Sequence, residues 1–404
     1  MMITLAWKNI WRNKKRSIII MTATALGLAG GLFSIGVMTG MYESMVDSAI
    51  NRELGELQIH TTDFKKDQLI GLFLPGIDSI VDVVRSNPNV RSFTERAVIE
   101  GMASSANSAT GVTIDGIDTV QETSVTAVSK SLIEGTYLER KNSIVVGKKL
   151  ADKLKLKLHS RIILSFSGLD GSIIYGAFRI GGIFKTAAST FDGSMVFVRR
   201  EDMGSLLGSV PPIHEIIIRT KNPFTLEQTR NEIQQAMTPS VVVETWREIS
   251  PELKLTADST DVTNTVFLTI ILCALLFGLT NTLLMSVLDR IRDFGVLLAI
   301  GMYRRRLFSM IVLESLSLSF TGGIVGVLVG WAVTQYFQAQ GINLSTFSEG
   351  LSSYGIPSML YPAIRTSLYG VLAVMMVATS VIAALYPAFK AIRLKPVEAI
   401  RSIG

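Results

Sequence analysis

Three histidines and one cysteine are the side chains best suited to metal binding or nucleophilic chemistry in this sequence: His60, His159, His214 and Cys273. A metal site needs such ligands a few residues apart or on one helix face, and these four are scattered along the chain. The histidines read as surface or packed residues, and no metal site is expected. A serine hydrolase would carry its nucleophile in a Gly-x-Ser-x-Gly elbow, which does not occur here. Nucleotide hydrolysis calls for a Gly-rich loop ending in Gly-Lys-Ser/Thr, whose backbone amides cradle phosphates. The nearest segment, Gly147-Lys148-Lys149, has neither the upstream glycine nor the hydroxyl. No catalytic residue and no cofactor is expected, and ATP hydrolysis would fall to a separate partner.

One carboxylate stands apart by its setting. Glu314 interrupts an apolar run, and a charge inside lipid is expensive unless it is paired. It lies near the start of the run, where Arg304, Arg305 or Arg306 is predicted to neutralise it.

These residues sit among four segments long enough to cross a hydrocarbon core, which takes about 20 apolar residues: 17–42, 262–288, 307–337 and 364–389. The first two are free of charge, and the fourth is free of charge from residue 366 on. Basic residues precede the first span, so it resembles a signal peptide; its length favours an uncleaved anchor. The net charge of +6 is a matter of placement. Of the 15 Lys and Arg outside 43–261, 14 fall in three clusters, 8–16, 290–306 and 390–401, each flanking an apolar run. That is the positive-inside pattern, so membrane lipid and not nucleic acid is the expected environment. It puts both termini, the 289–306 loop and the 390–404 tail in the cytoplasm. Residues 43–261, with 24 basic and 28 acidic side chains, and the shorter 338–363 loop lie outside. Stripes of glycine in the first span (Gly27, Gly30, Gly31, Gly36, Gly40) and third (Gly322, Gly323, Gly326, Gly330) permit close helix approach, within the bundle or to a second subunit.

The 219-residue outer segment is large enough for its own core. Near its start an extended stretch at 57–60 precedes a helical candidate at 77–85 and a second extended stretch at 90–101. Near its end the order repeats, with 215–219, 225–237 and 241–243. Two strand-helix-strand units at the ends predict an α+β lobe whose halves meet, with residues 103–200 or so inserted as a second lobe. Short β-like runs fill that insertion at 111–114, 143–146, 161–166 and 195–198, with a basic helix at 148–158.

The cytoplasmic segment Asp289-Arg-Ile-Arg-Asp-Phe-Gly-Val-Leu-Leu-Ala-Ile-Gly-Met302, followed by Tyr303-Arg304-Arg305-Arg306 and Glu314, resembles the coupling region of the MacB/FtsX-like ABC transporter permeases. So does the ending Tyr386-Pro-Ala-Phe-Lys-Ala-Ile-Arg-Leu-Lys-Pro-Val-Glu-Ala-Ile-Arg401, while Ala6-Trp-Lys-Asn-Ile-Trp-Arg-Asn-Lys-Lys-Arg16 is similar to the amphipathic helix that leads into the family's first span. The resemblance implies a four-span α-helical membrane protein whose outer α+β domain is of the MacB-like core type. It also implies a short cytoplasmic helix docking on an ATPase dimer through Arg290, Arg292, Asp293, Phe294, Gly295, Leu297, Leu298, Gly301 and Met302. In that expectation Phe294, Leu297 and Leu298 form an apolar face while Arg290, Arg292 and Asp293 stay available for polar contacts. Two positions depart from the family pattern: Asp293, where Glu is usual, and Leu298, where Arg is usual.

Two stretches look closest to the lipoprotein-releasing (LolC/LolE-type) branch. They are Gly40-Met-Tyr-Glu43 with Glu53-Leu-Gly-Glu-Leu-Gln-Ile-His60, and Ser129-Lys-Ser-Leu-Ile-Glu-Gly-Thr-Tyr-Leu138 leading to Val146-Gly-Lys-Lys-Leu-Ala-Asp-Lys-Leu154. The function implied is that of a permease subunit in the inner membrane, paired with a second permease subunit. It would release a lipoprotein cargo to a periplasmic carrier. The alternatives are MacB-like efflux of peptides or amphiphilic drugs and FtsX-like signalling to a cell-wall hydrolase.

Overall fold

The computed structural model describes residues 14–106 and 108–393. The helix expected over 6–16 lies outside the described residues up to Asn13, as does the tail from Leu394 on. The helices that carry the architecture are, in chain order, α1 (Lys14–Ala49), α2 (Ile77–Ser86), α3 (Thr119–Val125), α4 (Lys148–Leu154), α5 (Leu226–Gln235), α6 (Pro251–Asp289), α7 (Ile291–Ala299), α8 (Arg304–Gln340) and α9 (Thr366–Ile392). The main sheet is built from β1 (Leu57–Thr61), β2 (Val90–Ser104), β3 (Ala109–Ile117), β4 (Leu132–Gly135), β5 (Ser143–Gly147), β6 (Arg161–Ser167), β7 (Ile173–Phe184), β8 (Met195–Arg199), β9 (Glu215–Thr220) and β10 (Val241–Thr245).

Contacts divide the chain into two units. The helical unit takes in the described residues up to Tyr42, Ala257–Ile342 and those from Leu360 on; the other is Glu43–Thr256 with Asn343–Met359. Four helices are long and apolar enough to cross a membrane: Ser17–Leu54, Pro251–Asp289, Arg304–Gln340 and Leu368–Ile392. At about 1.5 Å per residue, the 36 residues of α1 and 39 of α6 exceed a hydrocarbon core of about 30 Å. Both helices run on into the second unit as continuous chain.

Within the helical unit, small residues set the packing of α1 on α8. A Cβ placed on Gly322 would lie 2.9 Å from the carbonyl oxygen of Met21, and one on Gly326 would lie 2.8 Å from that of Ala25. Gly330 meets the Cα of Ala29 in the same way, at 3.1 Å. Glycines four apart on α8 thus receive the α1 backbone four apart, the close approach that small residues allow in a medium giving no hydrophobic drive. These third-span glycines pack the chain against itself.

The second unit is a mixed lobe continuous with a barrel. β1-α2-β2 and β9-α5-β10 are the two strand-helix-strand units, and their strands interleave antiparallel in the order β10-β1-β9-β2. This is the ferredoxin-like βαββαβ arrangement, with a core of Leu57, Ile59, Val84, Ile216, Ile218, Ile233 and Val243. β2 then outruns the lobe. Its first part, to Arg96, pairs with β9, and from Arg96 to Ser104 it pairs with β3. From β3 the ladder passes through β8, β5, β7 and β6 and returns to β2, closing a six-stranded barrel. Alternate residues point inward, so Ile162, Leu164 and Phe166 of β6 join Ile114, Ile144, Phe178 and Val196 in the barrel core. The inserted residues therefore share β2 with the lobe instead of forming a separate sheet.

On the outer face of the barrel strands, Phe184, Phe191 and Phe197 form a separate cluster, with centroids 5.7 to 6.2 Å apart. Phe197 is fully buried. Phe197→Ala is expected to cost about 3–5 kcal/mol, seen as a lower denaturant midpoint at unchanged slope in full-length protein followed by circular dichroism. A loss below about 1 kcal/mol would mean that the barrel collapses around the deletion.

Candidate functional site

α6 ends at Asp289 because Arg290 leaves the helical region (φ −116°, ψ 16°), and the chain restarts at once as α7. α7 closes at Gly301, whose φ of +99° is strained for any residue with a Cβ. The turn to α8 comes directly after it. Phe294 is 1% exposed and packs with Val287, Leu307, Met310, Ile311, Ala388 and Ala391. Gly295 is buried beside it, and Leu297, Leu298 and Met302 are half-buried against the same cluster. The apolar face expected to meet a partner is therefore turned onto the chain's own helices.

Arg290 corrects the sequence reading most. Its Nη1 donates to both Oε1 and Oε2 of Glu314 at 3.1 Å, both side chains are 10% exposed, and the guanidinium lies 5.2 Å from the Phe294 ring centre. It is not available for outside contacts. Glu314 takes its partner from the residue before α7, while Arg304, Arg305 and Arg306 are exposed. The outward face of α7 and the adjoining turn consists of Arg292, Asp293, Val296, Ile300, Gly301 and Tyr303. Ile300 and Tyr303 are 80% and 71% exposed, large apolar area that invites a partner. Val296, Ile300 and Tyr303 were absent from the expected docking set. Their signal was positional: Val296 and Ile300 fall on the side opposite Phe294, and Tyr303 opens α8.

A second constellation lies where β2 changes partners. Arg96, 2% exposed, donates from Nη2 to Glu122 Oε1 at 2.5 Å and from Nε to Oε2 at 3.1 Å. Thr126 and Thr94 donate their hydroxyls to the same carboxylate at 2.8 and 3.2 Å. Arg96 Nη1 faces Asp115 Oδ2 at 3.5 Å, Glu215 Oε1 at 3.4 Å and the carbonyl of Glu53 at 3.4 Å. Burial opposes the charge on Arg96, but Glu122 and Asp115 hold its pKa above the usual value. Glu53 belongs to a π-helical turn, Ile50–Leu54, that continues α1 and closes at Gly55 (φ +61°). π-turns of this kind recur at functional sites. No sequence motif announced this cluster.

The barrel presents a third feature. Ile163, Leu169, Ile173 and Tyr175, on the β6–β7 hairpin, are 40% to 68% exposed. At the base of the same hairpin, where Arg161 meets Arg179, a cleft of about 620 Å³ is lined by Arg140, Lys141, His159, Arg161 and Arg179, with Glu139 as its only carboxylate among the described residues. Arg161 stands opposite Arg179 across the ladder, a like-charge pairing that costs stability, and neither has an ion-pair partner among the described residues. The other two histidines are packed. His60 Nε2 meets Glu244 at 3.1 Å; His214 accepts from the Val98 amide, bonds the Ile70 carbonyl and stacks on Phe64. Burial pushes the His214 pKa down.

Comparison with known proteins agrees with this architecture. The MacB-like periplasmic core domain matches residues 17–236, and the FtsX-like permease C-terminal family matches 265–396. An uncharacterized ABC transporter permease of Methanocaldococcus jannaschii is 28% identical over 40% of this chain and 42% of its own length. The macrolide export ATP-binding/permease protein MacB of Chlorobaculum tepidum is 32% identical over 31% of this chain but spans only 16% of that protein. The lipoprotein-releasing system transmembrane protein LolC of Xylella fastidiosa is 22% identical over 71% of this chain and 72% of its own length. Among solved structures, the periplasmic region of MacB from Actinobacillus actinomycetemcomitans aligns with a TM-score of 0.36 at 10% identity, covering 52% of this chain and 97% of that one. The core-domain match alone covers more than half of the 404 residues. With four apolar helices, a ferredoxin-like lobe, a barrel and both family matches in order, the chain belongs to the MacB/FtsX-like ABC transporter permeases.

Proposed function

We propose that the chain is the inner-membrane permease subunit of an ATP-driven complex that releases lipoproteins, with the 43–261 domain in the periplasm. It works as a dimer with a second permease subunit, homologous or identical. A cytoplasmic ATPase dimer docks on the exposed side of α7 through Arg292, Asp293, Val296, Ile300 and Tyr303. Arg290, Phe294, Gly295, Leu297, Leu298 and Met302 act behind that surface, fixing α7 to α8 so that a push on the helix moves the bundle. Gly301 sets the turn.

The observation that carries the lipoprotein reading is the reach of the LolC likeness. Its 302 aligned residues exceed either unit alone, so it takes in spans and outer domain together. The barrel supports it too. The exposed apolar hairpin, with the basic cleft at its base, suits a carrier with an apolar mouth and acidic rim, since the charges steer the encounter and the apolar residues supply contact area. The second reading, efflux of an amphiphile, is favoured by the 32% identity to MacB over 124 residues.

Depleting the protein should strand lipidated proteins in the inner membrane, followed by fractionation and immunoblotting; normal outer-membrane delivery would overturn lipoprotein release. Val296→Asp with Ile300→Asp should reduce ATPase capture by the full-length permease at least about tenfold, equivalent to about 1.4 kcal/mol. The folded yield should be unchanged. Arg290→Met should destabilise the detergent-solubilised chain by about 3–5 kcal/mol, because it removes the positive charge that neutralises a buried carboxylate. Exchanging the charges, Arg290→Glu with Glu314→Arg, should recover part of that loss, and no recovery would deny the pairing.

A further inference from the structure

A cavity of about 420 Å³ opens where the ferredoxin-like lobe meets the barrel. Gln58 and His60 of β1, Glu215 of β9, Arg96 of β2 and Asp115 of β3 line its floor. Arg52 and Glu53 of the π-turn, Phe64 and Lys65, and Phe191 enclose it. Its charges do not balance. Glu122, Asp115 and Glu215 all lie within 3.5 Å of the single guanidinium of Arg96. Of the other basic side chains lining it, Lys65 and His60 both meet Glu244, and Arg52 meets Glu53 through Nη2 alone. Two carboxylates therefore exceed the positive charge available around Arg96, in a site where an uncompensated charge is costly.

Two groups on this cavity lack hydrogen-bond partners among the described residues. Asp115 is wholly buried and neither of its carboxylate oxygens receives a donor. Arg52, which lines the same cavity, has Nε and Nη1 buried without acceptors, and its guanidinium rests 5.0 Å from the Phe191 ring centre. An orphan acceptor and an orphan donor thus face one space large enough for a side chain to cross.

We propose that Asp115 is a proton-binding site at the lobe junction, and that Arg52 is a mobile counter-charge which leaves Phe191 and crosses to Asp115 when the proton departs to water. With Asp115 protonated, Arg52 stays on the Phe191 ring. With Asp115 ionised, the second guanidinium supplies the missing positive charge. Arg52 stands on the π-turn that continues α1, so the protonation state is felt at the end of that helix. The groups facing Asp115 are Arg96 on β2, Glu215 on β9, Glu122 on α3, Glu53 on the π-turn, and Tyr137 beyond β4; Arg52, His60 and Lys65 line the same cavity. Burial first, opposed by Arg96 and reinforced by Glu215, Glu122 and Glu53, pushes the Asp115 carboxyl up to about 8.

Linkage sets the sign of the pH dependence. The folded state holds a proton that the unfolded chain gives up near pH 4, so this stabilisation is complete below about pH 4 and is lost as pH rises through about 8. The test is thermal unfolding of the full chain in detergent between about pH 6 and about pH 9. The natural protein should lose several degrees across that range. Asp115→Asn should flatten the dependence, and Arg52→Gln should steepen it, because nothing then replaces the proton. An Asp115→Asn protein that keeps the natural slope, or an Arg52→Gln protein that parallels the natural one, would overturn the proposal. Should the variants fail to fold, infrared difference spectra of the natural protein decide. A protonated-carboxyl band lost near pH 8 is expected, and its absence refutes the proton site.

Discussion

A buried guanidinium sits at the residue where β2 changes partners. Arg96 is opposite Glu215 in the β2–β9 ladder and opposite Ile117 in the β2–β3 ladder, so it belongs to lobe and barrel alike. A charge at 2% exposure must be surrounded by acceptors, and no single element can supply enough of them. Acceptors come from α3, β9 and the π-turn, and Asp115 of β3 faces the guanidinium as a charge at 3.5 Å. Satisfying one side chain thus fixes four elements about one point. The ferredoxin-like lobe, the barrel and the end of α1 meet there because that is where Arg96 finds its partners.

The helical unit repeats this logic on a smaller scale. Arg290 interrupts α6, and the residue that breaks that helix also anchors the next one, α7, through Glu314 of α8 and the Phe294 ring. Replacing such a pair with apolar residues of similar volume is often neutral or stabilising, so stability alone does not explain it. Its effect is positional. One nitrogen, Nη1, shared between both carboxylate oxygens ties the start of α7 to α8 at a single point, which apolar contacts among Val287, Leu307 and Ile311 would leave free to slide.

Most elements were legible in the sequence because their side chains obey one period. The strands at 57–61, 215–220 and 241–245 and the helix at 77–86 match runs of apolar residues bounded by Pro, Gly or Asn. β7 was not legible, although it is twelve residues long and central to the barrel. Gly176, Gly181 and Gly182 interrupt its pattern, and a Cβ on Gly176 would meet Leu206 while one on Gly182 would meet the carbonyl of Thr136. Glycine there marks crowding and not a loop. The outward face of α7 was half legible. The apolar period of α7 located Phe294, Leu297 and Leu298 correctly as one face, but period alone cannot say whether that face meets a partner or the chain itself.

The two buried arginines failed the sequence reading for a shared reason. In Arg96-Ala97-Val98-Ile99 and Asp289-Arg290-Ile291-Arg292 each arginine sits beside residues that give no sign of its partner. Glu122 is 26 positions from Arg96, and Glu314 is 24 from Arg290. Proximity along the chain favoured Arg304, Arg305 and Arg306 for Glu314, since a helical neighbour about two turns away is the obvious neutraliser. Burial reverses that preference. Residues 304–306 begin α8 at its exposed end, where water screens their charge, whereas Arg290 is already desolvated by Phe294 and gains more from the pairing. In a membrane protein the strongest ion pair is formed by the charge that has nowhere else to go, and that condition is set by the fold and not by spacing.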